Sequence, residues 1–260
     1  MEKQKICIIG GSLTALVTAI TLSKLNCKID LITGNDKKRL KSNRTIAVSE
    51  NNFDFLNKLN ISKFLKKEMW PSSTMKLYTE IKNEKFSEIF ELNNVKKQER
   101  ILYMVENSKI IKLMMSKIKK IKSISVKNHE KISKITTSGL LKSVKFNNNN
   151  LKYNLIIICT GSNSSLVKSI FNDQLIENAY RESSITLILN HSWLKNNTVR
   201  QFFLDNGILA LLPISNTRTS IVWSVKKEVK EKNDFFLKQK IKFYTKKLFK
   251  KHNFSNQYRI

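Results

Sequence analysis

A glycine turn near the start of the chain has the residue types that hold a dinucleotide pyrophosphate. Residues 5–9 are apolar and β-like, and Gly10 and Gly11 lead from them into a helical pattern over 13–25. Gly10 permits a tight turn, and the free N–H groups and dipole of the following helix favour phosphate charge. A second apolar strand pattern at 28–32 completes the βαβ unit that this fingerprint requires.

The turn departs from the G-x-G-x-x-G/A pattern at its second glycine. Gly10 and Ala15 fit the first and third positions, whereas Ser12 places a Cβ where the backbone approaches the pyrophosphate. The acidic ribose ligand expected after the second strand is replaced by Thr33. We predict cofactor contacts at Gly10, Gly11, Ser12, Ala15 and Thr33. A βαβ unit that binds no nucleotide would show the same pattern, and the sequence leaves that alternative open.

No other constellation in the sequence predicts chemistry. The three histidines are scattered, and we predict neither catalytic residues nor a metal site. Cys7, Cys27 and Cys159 lie in or beside apolar segments without paired spacing. We therefore predict that these cysteines are small buried hydrophobic residues in a reducing cytoplasm, and that they form neither disulfides nor a metal site. No signal peptide is recognisable, and no apolar run reaches the roughly 20 residues that span a membrane, so we predict a cytoplasmic protein.

The net charge of +28, from 48 Lys and Arg against 20 Asp and Glu, favours an anionic partner such as nucleic acid or a membrane surface. Compositional drift is the alternative, because the lysines are spread along the whole chain. No nucleic-acid-binding motif accompanies them, so we predict no nucleic-acid partner. The lysine-rich amphipathic stretch from 227 onward predicts a helix that lies either on an anionic membrane or on the protein's own sheet.

Hydrophobic patterning predicts the other elements. Helices are expected within 44–65 and over 108–121. Strands are expected within 74–92 and at 123–127, 131–137, 140–146, 155–159, 183–190, 199–205, 207–212 and 218–226. The run 147–150 of four asparagines predicts a turn. Residues 155–159 are the most hydrophobic strand, and they end in a polar turn of the kind at which α/β sheets bind ligands.

Four further blocks follow the glycine turn in a fixed order: RTIAVS at 44–49, YMVEN at 103–107, ICTGSNS at 158–164, and the stretch from 202 to 224 that contains GILALLP and IVWS. Together with the turn, they resemble the FAD-dependent aromatic hydroxylases, most closely the ubiquinone-biosynthesis hydroxylase family. No block is specific alone, but five in the right order over nearly all of 5–225 are strong evidence for the fold.

The resemblance implies an α/β fold in which a Rossmann-like FAD-binding domain carries an inserted antiparallel β-sheet substrate domain. The expected FAD domain comprises 1–70 and 100–172, the substrate sheet comprises 71–99 and 173–226, and a basic helix occupies 227–260. By resemblance, Arg44 lies near the FAD, Asn107 begins a helix beside the flavin, and Thr160 and Gly161 stand where the family has Asp-Gly. Asn107 as a helix cap and Arg44 as a surface cation are the alternatives.

The resemblance also implies the chemistry. NAD(P)H would reduce the FAD, and dioxygen would then supply one oxygen atom to an electron-rich ring, here a polyprenylated phenol of ubiquinone biosynthesis. Two acids of the family are threonines in this chain, and a third family motif, Gly-Asp with a proline and glycines, is not found. We therefore expect a truncated or divergent relative, which is either an impaired hydroxylase or a flavin-free interaction subunit of a membrane-associated complex. Either protein would be cytoplasmic and peripheral at the inner membrane.

Overall fold

The computed structural model of the 260-residue chain describes residues 3–34, 44–61, 68–81, 85–93, 100–128, 132–146, 149–161, 164–171, 176, 180, 182–226, 234–246 and 252–254. In chain order the first half contains β1 (Gln4–Ile9), α1 (Leu13–Leu22), β2 (Cys27–Thr33), β3 (Thr45–Ser49), α2 (Glu50–Lys58), β4 (Trp70–Ser72), β5 (Thr74–Ile81), β6 (Lys85–Asn93), β7 (Leu102–Glu106), α3 (Asn107–Ile118) and β8 (Ile124–Asn128). The second half contains β9 (Ile132–Ser138), β10 (Leu141–Phe146), β11 (Asn149–Tyr153), β12 (Leu155–Ile158), α4 (Ser165–Phe171), β13 (Glu182–His191), β14 (Thr198–Leu204), β15 (Gly207–Ser215), β16 (Arg218–Lys226), α5 (Asp234–Lys246) and β17 (His252–Phe254).

These elements form two compact units. The first comprises Met1–Ser42, Lys58–Phe64 and Ser108–Asn178, and the second comprises Asn43–Asn57, Leu65–Asn107 and Ala179–Ile260. The predicted division into a cofactor domain and a substrate domain concerns function, and it stays a prediction. Among the described helices, none is both long and apolar enough to cross a bilayer.

The first unit is built on a parallel sheet with the strand order β12-β1-β2-β8. Its central strands β1 and β2 are mostly apolar, and Cys7, Ile8 and Leu31 are fully buried. Continuous apolar strands are what a parallel sheet with covered faces needs. The strand order reverses between β1 and β12, which makes their carboxyl ends the place where such sheets bind nucleotides. The predicted Rossmann-like βαβ start is therefore confirmed.

An antiparallel sheet of β9, β10 and β11 connects β8 to β12. Its inner face packs Val144, Phe146 and Tyr153 against Cys7 and other apolar residues of the parallel sheet. The predicted turn over the asparagine run is wrong at its second half, because β11 begins at Asn149. Pairing with β10 gives these asparagines a β conformation, so tertiary context overrides their preference for turns.

The second unit contains a seven-stranded sheet with the order β17-β13-β16-β15-β14-β5-β6, in which only β14 and β5 pair in parallel. Its core surrounds Trp223, which is fully buried, and includes Ile241 and Tyr244 from α5. The predicted helix from 227 onward is wrong at its end, because residues 252–254 form β17 beside β13. The mixed α/β fold with parallel and antiparallel sheets is as predicted.

A small antiparallel sheet with the order β3-β7-β4 also lies in the second unit. It pairs two of the blocks that carried the resemblance, since β3 falls within 44–49 and β7 overlaps 103–107. Val48 of β3 stands opposite Tyr103 of β7, and the Phe53 ring of α2 stacks on Tyr103 with centroids 4.5 Å apart. Blocks that are distant in sequence are thus hydrogen-bonded neighbours.

Candidate functional site

The turn after β1 meets the end of β12 at very close range. The Gly10 N–H donates to the Ile32 carbonyl at 2.8 Å, and the Cys159 N–H donates to the Ile9 carbonyl at 2.7 Å. Gly10 has φ +136°, and an added Cβ would overlap the Cys159 carbonyl, lying 2.8 Å from its carbon atom. Packing of the two strands therefore requires glycine at position 10 whether or not a ligand binds.

Ser12 connects the start of α1 to the same point. Its Oγ donates to the Cys159 carbonyl at 3.1 Å and makes no capping hydrogen bond to the helix. The first helical bond runs from the Leu16 N–H to the Ser12 carbonyl, so the N–H groups before Leu16 have no partner within the helix. No acidic residue lies in the first turn. The positive end of the helix dipole is therefore not neutralised locally, which suits an anionic ligand.

Thr160 and Gly161 follow β12 and complete this edge of the sheet. The Thr160 Oγ1 is buried and has no hydrogen-bond partner in the part of the chain that the structure describes. Gly161 has φ +85°, and among the described residues other than its chain neighbours none lies within 4 Å of the position of a Cβ there. An unpaired buried hydroxyl costs about 1–3 kcal/mol, so a polar ligand atom at this turn would relieve that cost. Gly10, Ser12, Thr160 and Gly161 thus lie together at this edge, with Gly11 and the buried Ala15 beside them, and their contacts to a cofactor stay a prediction.

Thr33 is placed at the end of β2, but its hydroxyl is already engaged. The side chain is fully buried, and Oγ1 donates to the Asn128 Oδ1 at 2.8 Å. Asn128 ends β8, the neighbouring parallel strand, and no motif in the sequence marks it. A ribose hydroxyl would have to compete with this bond, so the structure offers no free ligand in place of the missing acid.

Arg44 and Asn107 lie together in the second unit. The Asn107 N–H donates to the Arg44 carbonyl at 2.8 Å, where β3 and β7 end their pairing. Arg44 is exposed, and Asn107 is half-buried at the first residue of α3. The adjacent Glu106 carboxylate forms an ion pair with Arg218, with a distance of 3.2 Å between Oε1 and Nη1. Their roles toward a cofactor stay predictions from the resemblance.

A buried charged cluster in the first unit was not predicted from the sequence. The Tyr153 hydroxyl donates to the Asp30 Oδ2 at 2.7 Å, and Lys127 Nζ lies 3.2 Å and Lys5 Nζ 3.6 Å from the same oxygen. Burial, with the nearby Asp30 charge, raises the pKa of the Cys7 thiol to about 12. That thiol stays protonated at neutral pH and is no nucleophile. The cluster joins four strands and serves packing rather than chemistry.

Comparison with known proteins gives relatives for part of the chain. No protein-family model matches it. The mitochondrial ubiquinone biosynthesis monooxygenase COQ6 of Caenorhabditis elegans is 26% identical over 136 residues, covering 50% of this chain and 30% of that protein. The COQ6 of Dictyostelium discoideum is 26% identical over 143 residues, covering 47% of this chain and 29% of that protein. The matched part is less than a third of the length of these curated relatives.

Solved structures agree with the fold over most of the chain. PqsL from Pseudomonas aeruginosa, a probable FAD-dependent monooxygenase, superposes with a TM-score of 0.74 at 11% identity, covering 88% of this chain and 62% of PqsL. The p-nitrophenol 4-monooxygenase PnpA from Pseudomonas putida gives 0.74 at 12% identity, covering 100% of this chain and 66% of PnpA. CtdE, solved in complex with FAD, gives 0.67 at 10% identity, covering 86% of this chain and 60% of CtdE.

These similarities confirm the resemblance drawn from the sequence. The chain has the fold of the FAD-dependent monooxygenases, and about half of it is similar in sequence to ubiquinone-biosynthesis monooxygenases. At 10–12% identity the solved structures bear on the fold alone.

Proposed function

We propose that the chain binds FAD and acts as an FAD-dependent monooxygenase on a phenol. The observation that carries the proposal is the uncapped start of α1 beside Thr160, whose buried hydroxyl has no partner among the described residues. The two features lie at the same edge of the parallel sheet, where its strand order reverses. The names of the sequence relatives and the FAD complex of a structural neighbour support the choice of cofactor.

The residues at this edge fit the pyrophosphate of FAD better than its ribose. The N–H groups of Leu13, Thr14 and Ala15 would donate to phosphate oxygens, and the space that the described residues leave at Gly161 would admit the cofactor. The Thr160 hydroxyl would donate a hydrogen bond to the cofactor or accept one from it. Thr33 would contribute little, because its hydroxyl is bonded to Asn128. Bound FAD would supply electron transfer to dioxygen, and the chain's residues would hold and orient it.

A negative charge at the start of α1 tests this site without harming the fold. Thr14 is exposed in the first helical turn, where a carboxylate stabilises a helix but repels phosphate. Thr14→Glu should therefore keep or raise the thermal stability of the protein and weaken FAD binding on the order of tenfold. Thr14→Gln is the neutral control, and Leu25→Glu adds the same charge at an exposed site after the helix.

Titration of FAD into these variants, followed by flavin fluorescence, decides the outcome. Weakened binding in Thr14→Glu alone supports the site. Equal affinities of all variants and the wild type would remove the cofactor from this turn.

The finer proposal is that the substrate is a polyprenylated phenol of ubiquinone biosynthesis and that NAD(P)H is the reductant. Strand alternation puts Phe203, Ile208, Ala210, Leu212 and Val222 on the sheet face opposite Trp223. These residues are half-buried or exposed, and they form an open apolar strip on a face that also carries Gln201 and Ser224. Such a face suits an aromatic ring with an apolar tail. The relatives' name and the 2-aminobenzoylacetate complex of PqsL also favour an aromatic substrate.

The reaction is tested with purified protein, FAD and prenylated and unprenylated phenols. Oxygen consumption with NADH or NADPH, together with product mass spectrometry, should show one added oxygen atom and a preference for the prenylated phenol. Reductant oxidation that yields only hydrogen peroxide with every phenol would contradict hydroxylation while leaving FAD binding intact.

A second candidate is a flavin-free relative that serves as an interaction subunit. The specific observation in its favour is the Thr33–Asn128 hydrogen bond, which takes the place of a ribose contact. Purified protein without flavin absorbance, and without affinity for added FAD, would favour this candidate over the enzyme.

A further inference from the structure

The three-stranded sheet of β9, β10 and β11 has two very different faces. Its inner face buries Val144, Phe146 and Tyr153 in the core of the first unit. Strand alternation puts Lys134, Lys145 and Lys152 on the outer face, and all three are exposed. We call these three lysines, with Leu140 at the hairpin tip, the basic sheet face.

The positive charge of this face is not balanced within the described chain. Lys134 and Lys145 stand directly opposite each other on neighbouring strands. Like charges in opposite positions repel each other and destabilise a sheet. No acidic residue occurs in the sequence between Glu130 and Asp173. Among the described residues, none of the three lysines forms an ion pair with a carboxylate. An anionic partner would remove this repulsion.

An apolar side chain projects from the end of the same face. Gly139 adopts φ +60° in the turn between β9 and β10, and the Leu140 that follows it is fully exposed. Leu141, the next residue, begins β10 and is half-buried. A leucine exposed at the tip of a hairpin can enter the region between lipid headgroups and acyl chains.

We propose that the basic sheet face docks on an anionic phospholipid bilayer, with the lysines on the headgroups and Leu140 inserted. Lysines are attracted to the negative surface of an anionic leaflet, and an apolar side chain gains further free energy by inserting below the headgroups. A nucleic acid has no apolar layer into which Leu140 could insert. Nucleic-acid binding to such a face would instead call for aromatic side chains that stack on bases, and the described outer positions of these strands carry Lys, Ser, Thr, Asn and one Leu. The inference is independent of FAD binding and of the reaction.

Co-sedimentation of the full chain with vesicles tests the docking surface. Wild-type protein should bind vesicles that contain phosphatidylserine and not vesicles of phosphatidylcholine alone, with affinity that falls as salt rises. Replacing Lys134, Lys145 and Lys152 together by Gln should weaken binding by about a hundredfold, since each surface lysine contributes roughly fivefold. The matched control replaces three exposed lysines at the α3 region, Lys112, Lys119 and Lys122, by Gln and should lose far less.

Leu140 is tested separately from the charges. Leu140→Ser should weaken vesicle binding severalfold, and Leu140→Trp should keep or strengthen it, because tryptophan favours the membrane interface. Leu25→Ser changes another exposed leucine and should have no effect. All variants lie at the surface, and thermal unfolding midpoints no lower than that of the wild type would show that each remains folded.

Three results would overturn the proposal. The first is equal losses in the two triple-lysine variants, and the second is equal binding to neutral vesicles. The third is binding to an RNA oligonucleotide that matches vesicle binding in strength and is unchanged by Leu140→Ser, which would make the face a polyanion site. Binding that is confined to anionic vesicles, and is weakened about a hundredfold in the triple-lysine variant and severalfold in Leu140→Ser, supports it.

Discussion

Gly10 shows how a single residue can be required by packing as well as by a ligand. The overlap of an added Cβ with the Cys159 backbone means that Gly10→Ala must separate β1 from β12 or shift the turn. We expect this variant to lower the free energy of unfolding by about 1–3 kcal/mol, as overpacking does elsewhere. Gly34→Ala is the control, because no described residue other than its chain neighbours lies within 4 Å of a Cβ there. Chemical denaturation without FAD measures both, and equal stabilities would contradict the strand-packing role.

Substitution of Thr160 should change stability and FAD affinity in opposite directions. Thr160→Val removes the buried unpaired hydroxyl, so the protein without cofactor should gain about 1 kcal/mol of stability. The same variant should bind FAD more weakly, because a hydrogen-bonding group is lost. Thr160→Asp should bind FAD on the order of tenfold more tightly, since a charged hydrogen bond contributes about 1.5–3 kcal/mol. Denaturation curves measure the stability without FAD, and titrations measure the FAD affinity. If both quantities rise, or both fall, in Thr160→Val, the result argues against a cofactor contact.

Thr33 differs from Thr160, although the family resemblance places an acid at or near both. A glutamate at position 33 would put a carboxylate in a fully buried site and remove the hydrogen bond to Asn128. Burial of an unpaired charge costs several kcal/mol. Restoring the acid at 33 alone would therefore destabilise this chain, and a compensating change at Asn128 would be needed with it.

At the scale of elements, short-range patterns predicted most of what was found. The turn at Gly10, the helix after it and the apolar β12 are local in sequence, so their periodicity and glycine chemistry identify them. The strand β11 was missed because only its pairing with β10 makes an asparagine run extended. The helix α2 lies within the predicted stretch 44–65, whose first residues form β3 instead, and the strands β13 to β16 agree closely with their predicted ranges.

The helix α5 is an integral element of the second unit. Tyr244 is 6% exposed, and its ring packs edge-on against Phe86 and Trp223, with centroids 5.8 and 6.2 Å away. Tyr244→Ala should therefore lower the free energy of unfolding by about 3 kcal/mol, as large-to-small changes in a core do. Phe243→Ala, at a neighbouring residue that is 45% exposed, should lower it by less than about 1 kcal/mol. Thermal or denaturant unfolding that affects both equally would mean that α5 does not pack as described.

At the scale of the whole molecule, the candidate site depends on contacts that no sequence pattern announces. Ser12 and Cys159 are 147 residues apart, and Thr33 and Asn128 are 95 residues apart. The strand order β12-β1-β2-β8 brings each pair together. Sequence reasoning found Ser12, Thr33 and Thr160 because a fingerprint or a family block marks their positions. It could not find that one threonine is bonded and the other is not, since that depends on neighbours brought in by the fold.

The net charge of +28 also acts on the whole molecule. Excess charge of one sign repels itself in the compact state and is relieved when the chain expands. Added sodium chloride screens this repulsion, because the Debye length shortens from about 30 Å at 0.01 M to about 10 Å at 0.1 M. We therefore expect the midpoint of thermal unfolding to rise as salt increases over this range.

A neutral osmolyte of matched osmotic strength is the control for general solvent effects on this midpoint. Replacement of Lys112, Lys119 and Lys122 by Gln should raise the low-salt midpoint and reduce its dependence on salt, because these three exposed lysines add to the excess charge without contributing to the described core. A midpoint that is flat or falls with sodium chloride would mean that ion pairs, rather than repulsion, dominate the electrostatics of this fold. In that case the lysines would stabilise the fold through ion pairs within the chain. Their abundance would then cause no net repulsion that an anionic partner has to relieve.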